Sequence, residues 1–144
     1  MFFLFLGARE VFESPELERF AQALETLQRR YPAITLGQLT TLLKVGLAPQ
    51  REGENVSVSD IVDRSHGQAY PTIARQIDLL GSGAGSNPGL QLIDKAVDPT
   101  DRRGRYVAIS ERGKMLLQEL DLILAPEIIE RIAPVAKAEA ETKP

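Results

Sequence analysis

Only the stretch from Leu90 to Ile109 reads as paired strands in this chain of 144 residues. LQLIDKAV, from Leu90 to Val97, and the return from Tyr106 to Ile109 have strand composition. The polar run from Asp98 to Gly104 between them has the composition of a hairpin tip. That tip carries Arg102 and Arg103 and is followed at once by Arg105. The rest of the chain carries helical spacing, so the expected class is mainly α with one small β-hairpin (α+β), in a single domain.

The helix starts are marked by side chains able to cap them. Ser14-Pro15 is a hydroxyl cap followed by proline, and Leu17, Phe20, Ala21, Leu24, Leu27 and Tyr31 then recur at three- and four-residue spacing up to Pro32. Thr35 and Gln38 form a capping-box pattern for a second helix, with Leu36, Leu39, Leu42, Leu43 and Leu47 as its expected apolar face. Ser57 is placed to cap a short third helix with Val58, Ile61 and Val62 inward, ending at His66-Gly67. Pro71 suits the first turn of a fourth, which should bury Ile73, Ile77 and Leu80 and stop at Gly81. Two short helices joined by a tight turn predict a helix-turn-helix. Ser110 caps a further helix with Met115, Leu116, Leu117, Leu120, Ile123 and Leu124 as its apolar residues; Pro126 breaks it, and Ile128, Ile129 and Ile132 continue on a last one.

Several chemistries are excluded by what the chain lacks. It has no cysteine and one histidine, so disulfides, thiolate catalysis and multi-histidine metal sites are out of reach of one chain. His66 sits where a polar residue ends a helix, with no motif partner to make it a ligand or a base. The reading is of a protein that is not an enzyme and needs no metal or cofactor. GSGAGSNPG, from Gly81 to Gly89, fails as a dinucleotide motif because Ser86 stands where the third glycine is needed and because a helix, not a strand, precedes it. It is expected to be a flexible connector. The opening MFFLFLGARE has no basic residue before its short apolar run, so it reads as an arm packing on a partner helix in a cytoplasmic protein, with no membrane contact.

Net charge is −3, yet its distribution is uneven. Between Asp101 and Lys114, the basic residues Arg102, Arg103, Arg105, Arg112 and Lys114 face only Asp101 and Glu111, whereas acids predominate after Gln118. Basic charge thus gathers around the hairpin tip, where an arginine can enter a narrow, negative minor groove of duplex DNA.

The stretch DPTDRRGRYVAISERGKMLLQEL, from Asp98 to Leu120, resembles the wing, its following strand and the Ser/Thr-x-x-Gly start of the long helix in the MarR family of winged-helix transcription regulators. Thr72-Ile73-Ala74-Arg75 is similar to the recognition-helix pattern of that family, and the spacing of all elements fits nearly the whole chain. The resemblance implies a winged helix-turn-helix dimerised by its N- and C-terminal helices, with 1–31 and 111–137 as dimerisation segments, 36–110 as the DNA-binding lobe and 138–144 as a frayed tail. It further implies a homodimer on a pseudo-palindromic double-stranded site, with the recognition helix in the major groove and the wing in the minor groove, and a small-molecule effector that no residue identifies.

The candidate DNA-binding residues are Gln68, Tyr70, Thr72, Arg75 and Gln76 on and before the recognition helix, and Asp101, Arg102, Arg103 and Arg105 in the wing. Gln and Arg are able to read adenine and guanine edges, and Thr and Tyr to reach phosphates or a thymine methyl. Asp101 is two residues before Arg103, so it can orient that guanidinium by a bidentate pair. The first and last helices carry more large apolar residues than a small core covers, which makes Leu17, Phe20, Leu24, Leu120, Ile123, Ile128, Ile129 and Ile132 the candidate dimer interface. A second reading is a winged-helix module for protein assembly, as in a replication or partition complex, which the acidity of the chain keeps open.

Overall fold

A computed structural model describes residues 13–49, 55–97, 99–100 and 104–127. The apolar opening, the wing-tip residues Asp101, Arg102 and Arg103, the last helix with Ile128, Ile129 and Ile132, and the charged tail lie outside the described residues.

Among the described residues, four of the five helices start where a hydroxyl takes up a backbone N–H that the helix leaves free. In α1 (Pro15–Arg30), Ser14 Oγ accepts from the Leu17 amide at 3.2 Å, with Pro15 at the first position. Thr35 and Gln38 close a reciprocal box at the head of α2 (Leu36–Leu47), with bonds of 3.1 and 3.0 Å. Ser57 and Asp60 do the same for α3 (Val58–Asp63) at 3.0 and 2.9 Å. The fourth helix, α4 (Tyr70–Leu80), has no side-chain cap on Ala69 and starts through Pro71, whose fixed φ suits the first turn.

A connector links α4 to the wing. Contrary to the expected flexible loop, it folds as a miniature hairpin, β1 (Gly83–Ala84) against β2 (Asn87–Pro88). The reason is a close approach of backbone: a Cβ at Gly89 would lie 1.9 Å from the Gly81 carbonyl oxygen, so the two ends of the connector meet only because glycine stands there. The wing follows as β3 (Ile93–Val97) and β4 (Arg105–Ile109), antiparallel, with Ile93 opposite Ile109 and Val97 opposite Arg105. The first strand therefore starts three residues later than its composition predicts. Residues 90–92 are taken up by the end of α4, with the amides of Leu90, Leu92 and Gln91 donating to the carbonyls of Leu79, Leu80 and Gly81 at 3.1, 2.8 and 3.0 Å. On the other edge, β4 is joined by the stretch before α3, where the Val107 amide donates to Val56 at 2.8 Å.

The last described helix, α5 (Glu111–Leu124), is capped by Ser110, whose Oγ accepts from the Gly113 amide at 3.0 Å and donates to the Gln91 carbonyl at 2.7 Å. It packs on α1, while α2 packs on α4. Leu42, Ile61, Ile73, Ile77, Leu80, Leu92 and Leu116 are wholly buried between these layers. Each such side chain contributes roughly 1.5–3 kcal/mol of hydrophobic transfer. No helix among the described residues is long and apolar enough to cross a membrane.

Two packing expectations are corrected. On α2 the buried positions are Thr41, Leu42 and Val45, whereas Leu36 and Leu47 are 78% and 76% exposed and Leu43 lies at the surface. The helix is leucine-rich on more than one side, and contact with α4 and the wing selects the other stripe. Leu120, expected at the dimer interface, belongs to the core of its own chain, on the α5 face that also buries Leu116.

Gly113 gives this architecture a direct test. A Cβ there would lie 2.2 Å from the Leu92 carbonyl oxygen and 3.0 Å from Ile109 Cγ1. Gly113→Ala should therefore destabilise the fold by about 1–3 kcal/mol through overpacking, despite the better helix propensity of alanine. Urea denaturation should show a lower midpoint with an unchanged slope.

Candidate nucleic-acid interface

Helix α4 is seated by Ile73, Ile77 and Leu80, which recur at four- and three-residue spacing and are wholly buried. The same spacing turns Thr72 and Arg75 away from the core, and Tyr70 stands at the first position of the helix; all three are exposed. Among the described residues, Arg75 makes no side-chain hydrogen bond or ion pair, and it lines a shallow groove with Thr72, Pro71, Thr35 and Gln38.

The turn ahead of α4 is held from within. Ser65 is buried and its Oγ donates to the Ile61 carbonyl at 2.6 Å, the Gln68 amide donates to the Ser65 carbonyl at 3.0 Å, and Gly67 takes φ +77° to reverse the chain. His66 and Gln68 are exposed on this turn. Among the described residues, no group of three or more metal-ligating side chains comes together.

Gln76 departs from the expected set of free readers. Its Oε1 accepts a hydrogen bond from Thr41 Oγ1, at 2.5 Å, and its amide nitrogen lies against Gly37, so the side chain is turned toward α2. Thr41 is 1% exposed and Gln76 is half-buried, which makes this a partly buried clamp between the two helices. Nothing near Gln76 in sequence announces a partner 35 residues away, and the polar face of a helix gives no sign of which polar residue will turn inward.

On the opposite flank, Asp78 of α4 forms an ion pair with Lys95 Nζ of β3, tying this helix to the wing. Arg105 is half-buried at the tip end of the wing strands, opposite Val97, with a long contact of 3.4 Å from its guanidinium to the Gly104 carbonyl. Asp101, Arg102 and Arg103 lie outside the described residues.

Of the expected dimer residues, Leu17 and Phe20 on α1 are 56% and 52% exposed, and Leu24 and Ile123 are half-buried. The structure adds Met115, Leu122 and Leu124 on α5 as exposed apolar side chains. Met115 and Leu124 were legible as part of the helix's apolar set but not as its outer face. Between α2 and α5, a groove of about 460 Å³ is lined by Leu43, Leu47, Leu117 and Leu124, with Lys114 and Asp121 at its rim.

The arrangement of two helices, a helix-turn-helix, a two-stranded wing and a long closing helix has clear counterparts among solved structures. A point mutant of MepR from a multidrug resistant S. aureus clinical isolate superposes with a TM-score of 0.59 at 19% identity, over 86% of this chain and 80% of that one. The S. aureus MepR–DNA complex matches with a TM-score of 0.55 at 20% identity, over 88% and 90%. RV1404 from Mycobacterium tuberculosis matches with a TM-score of 0.54 at 20% identity, over 87% and 85%. The fold is the MarR-type winged helix. No family model and no curated protein matches the chain by sequence. At about 20% identity these likenesses show the fold, and the chain's own side chains must carry the functional argument.

The Thr41–Gln76 clamp can be tested in isolation. Thr41→Val keeps the shape and removes the hydroxyl, leaving Gln76 Oε1 without its donor, and should cost about 1–3 kcal/mol of stability. In a double-mutant cycle, adding Gln76→Leu should cost less than the sum of the single changes.

Proposed function

We propose that the chain is a sequence-specific DNA-binding transcriptional regulator, acting as a homodimer on a pseudo-palindromic duplex. The observation that carries this reading is the outward face of α4: Thr72 and Arg75 project from a helix whose other face is locked into the core, with Tyr70 exposed at its first position, beside a hairpin leading to an arginine-rich tip. The MepR structure of the same fold in complex with DNA supports it.

In this reading, α4 enters the major groove, where Arg75 reads a guanine edge and Thr72 and Tyr70 reach phosphates or a thymine methyl. Gln68 contributes from the turn, and Gln76 acts by holding α4 against α2. The wing places Arg103 in the minor groove, oriented by Asp101, with Arg102 and Arg105 on flanking phosphates. Residues 36–110 form the DNA-binding lobe; the segments 1–31 and 111–137 pair two copies, burying Leu17 and Phe20 together with Ile128, Ile129 and Ile132. The groove between α2 and α5, apolar with Lys114 and Asp121 on its rim, is the place where a small-molecule effector would sit.

The decisive experiment is the salt dependence of binding to a selected duplex and to random duplex. A regulator that neutralises several phosphates loses affinity steeply with salt on both and prefers the selected site; an assembly module shows neither behaviour. Arg75→Ala should cost about 1–3 kcal/mol per half-site on the selected duplex and little on random duplex. An equal loss on both would make Arg75 a phosphate contact.

Dimerisation is tested separately. Ile129→Asp places a charge in the proposed apolar interface, at a cost of several kcal/mol unless it is paired. Sedimentation at micromolar concentration should give twice the chain mass for the parent and the chain mass for the variant, which should also lose binding to the full duplex site.

A further inference from the structure

Asp78 stands three residues after Arg75 on α4. Side chains at that spacing are neighbours on a helix surface, and an aspartate there is a ready partner for the arginine. The acid nevertheless turns the other way, to Lys95 on the wing strand β3, and Arg75 is left unpaired among the described residues. An acid beside the one arginine on the outer face of α4 would otherwise act against an interface for polyanions. It would repel phosphates, and by pairing with Arg75 it would withdraw the guanidinium from any base edge.

Both members of the pair are about one-third exposed, and such surface ion pairs contribute little to global stability. What distinguishes this one is its position: it bridges the recognition helix and the wing, with an unpaired arginine one turn away. We infer that Lys95 is a positioning residue for DNA recognition, which acts through Asp78 by keeping that carboxylate off Arg75. The inference rests on the DNA-binding reading and adds to it a residue that does not itself contact the duplex.

The test is a double-mutant cycle read on duplex affinity at fixed salt. Lys95→Met should weaken binding to the selected duplex about 5- to 10-fold, because Asp78 then captures Arg75 and part of the discrimination of one bidentate base contact is lost. Lys95→Arg should restore binding. In an Arg75→Ala background, Lys95→Met should cause no further loss, because nothing remains for Asp78 to capture. A second Lys95→Met loss of the same size in that background would overturn the inference and make Lys95 an independent phosphate contact, as would a slope of affinity against salt that falls by about one for Lys95→Met alone. Thermal denaturation of each variant separates these outcomes from unfolding. Failure of the unmodified chain to bind any duplex would overturn the DNA-binding reading itself, whereas normal binding with an unaffected Lys95→Met variant would overturn this inference alone.

Discussion

The structure turns on the backbone of Leu92. Its side chain is wholly buried, its amide donates to the Leu80 carbonyl at the end of α4, and its carbonyl accepts from the Ser110 amide at 3.0 Å at the head of α5. Ser110 Oγ reaches the neighbouring Gln91 carbonyl, and Gly113 lets α5 lie directly on this peptide. One residue therefore fixes the relative positions of α4, the wing and α5. Gln91 takes a left-handed backbone at φ +61° beside it, a conformation that costs a non-glycine residue energy and that the surrounding hydrogen bonds enforce.

Local chemistry was legible in the sequence wherever one side chain decides the outcome. Ser14, Thr35 with Gln38, Ser57 and Ser110 each cap the helix that their spacing announced, because a cap is satisfied within three residues and needs no distant partner. The same holds for the buried stripe of α4. The fold class and the winged-helix likeness follow from the order of these elements, which the comparison structures bear out.

Legibility failed where a choice depended on contacts far along the chain. α2 offers leucines on several sides, and only its packing on α4 and the wing decides that Val45 goes inward while Leu47 stays out. Leu120 lies on a periodic apolar stripe that looks the same whether it packs within the chain or between copies, and here it packs within. Gln76 reads as one more polar residue on a helix until Thr41 is seen opposite it. The connector was unreadable for another reason: its strands are two residues long, and what orders them is the meeting of two glycine backbones, which leaves no mark in composition.

That connector also sets how freely the chain can vary next to its most constrained element. The Gln91 amide bonds back to the Gly81 carbonyl, so the path leaves and rejoins the fold at one point, with Gly85, Ser86 and Asn87 exposed at the far end. What lies between is a closed excursion, and its length is uncoupled from the register of the wing and from the angle of α4. Lengthening such a loop costs only about 0.6 kcal/mol per doubling. The far end of the miniature hairpin is therefore where inserted residues would disturb the wing register and the seat of α4 least.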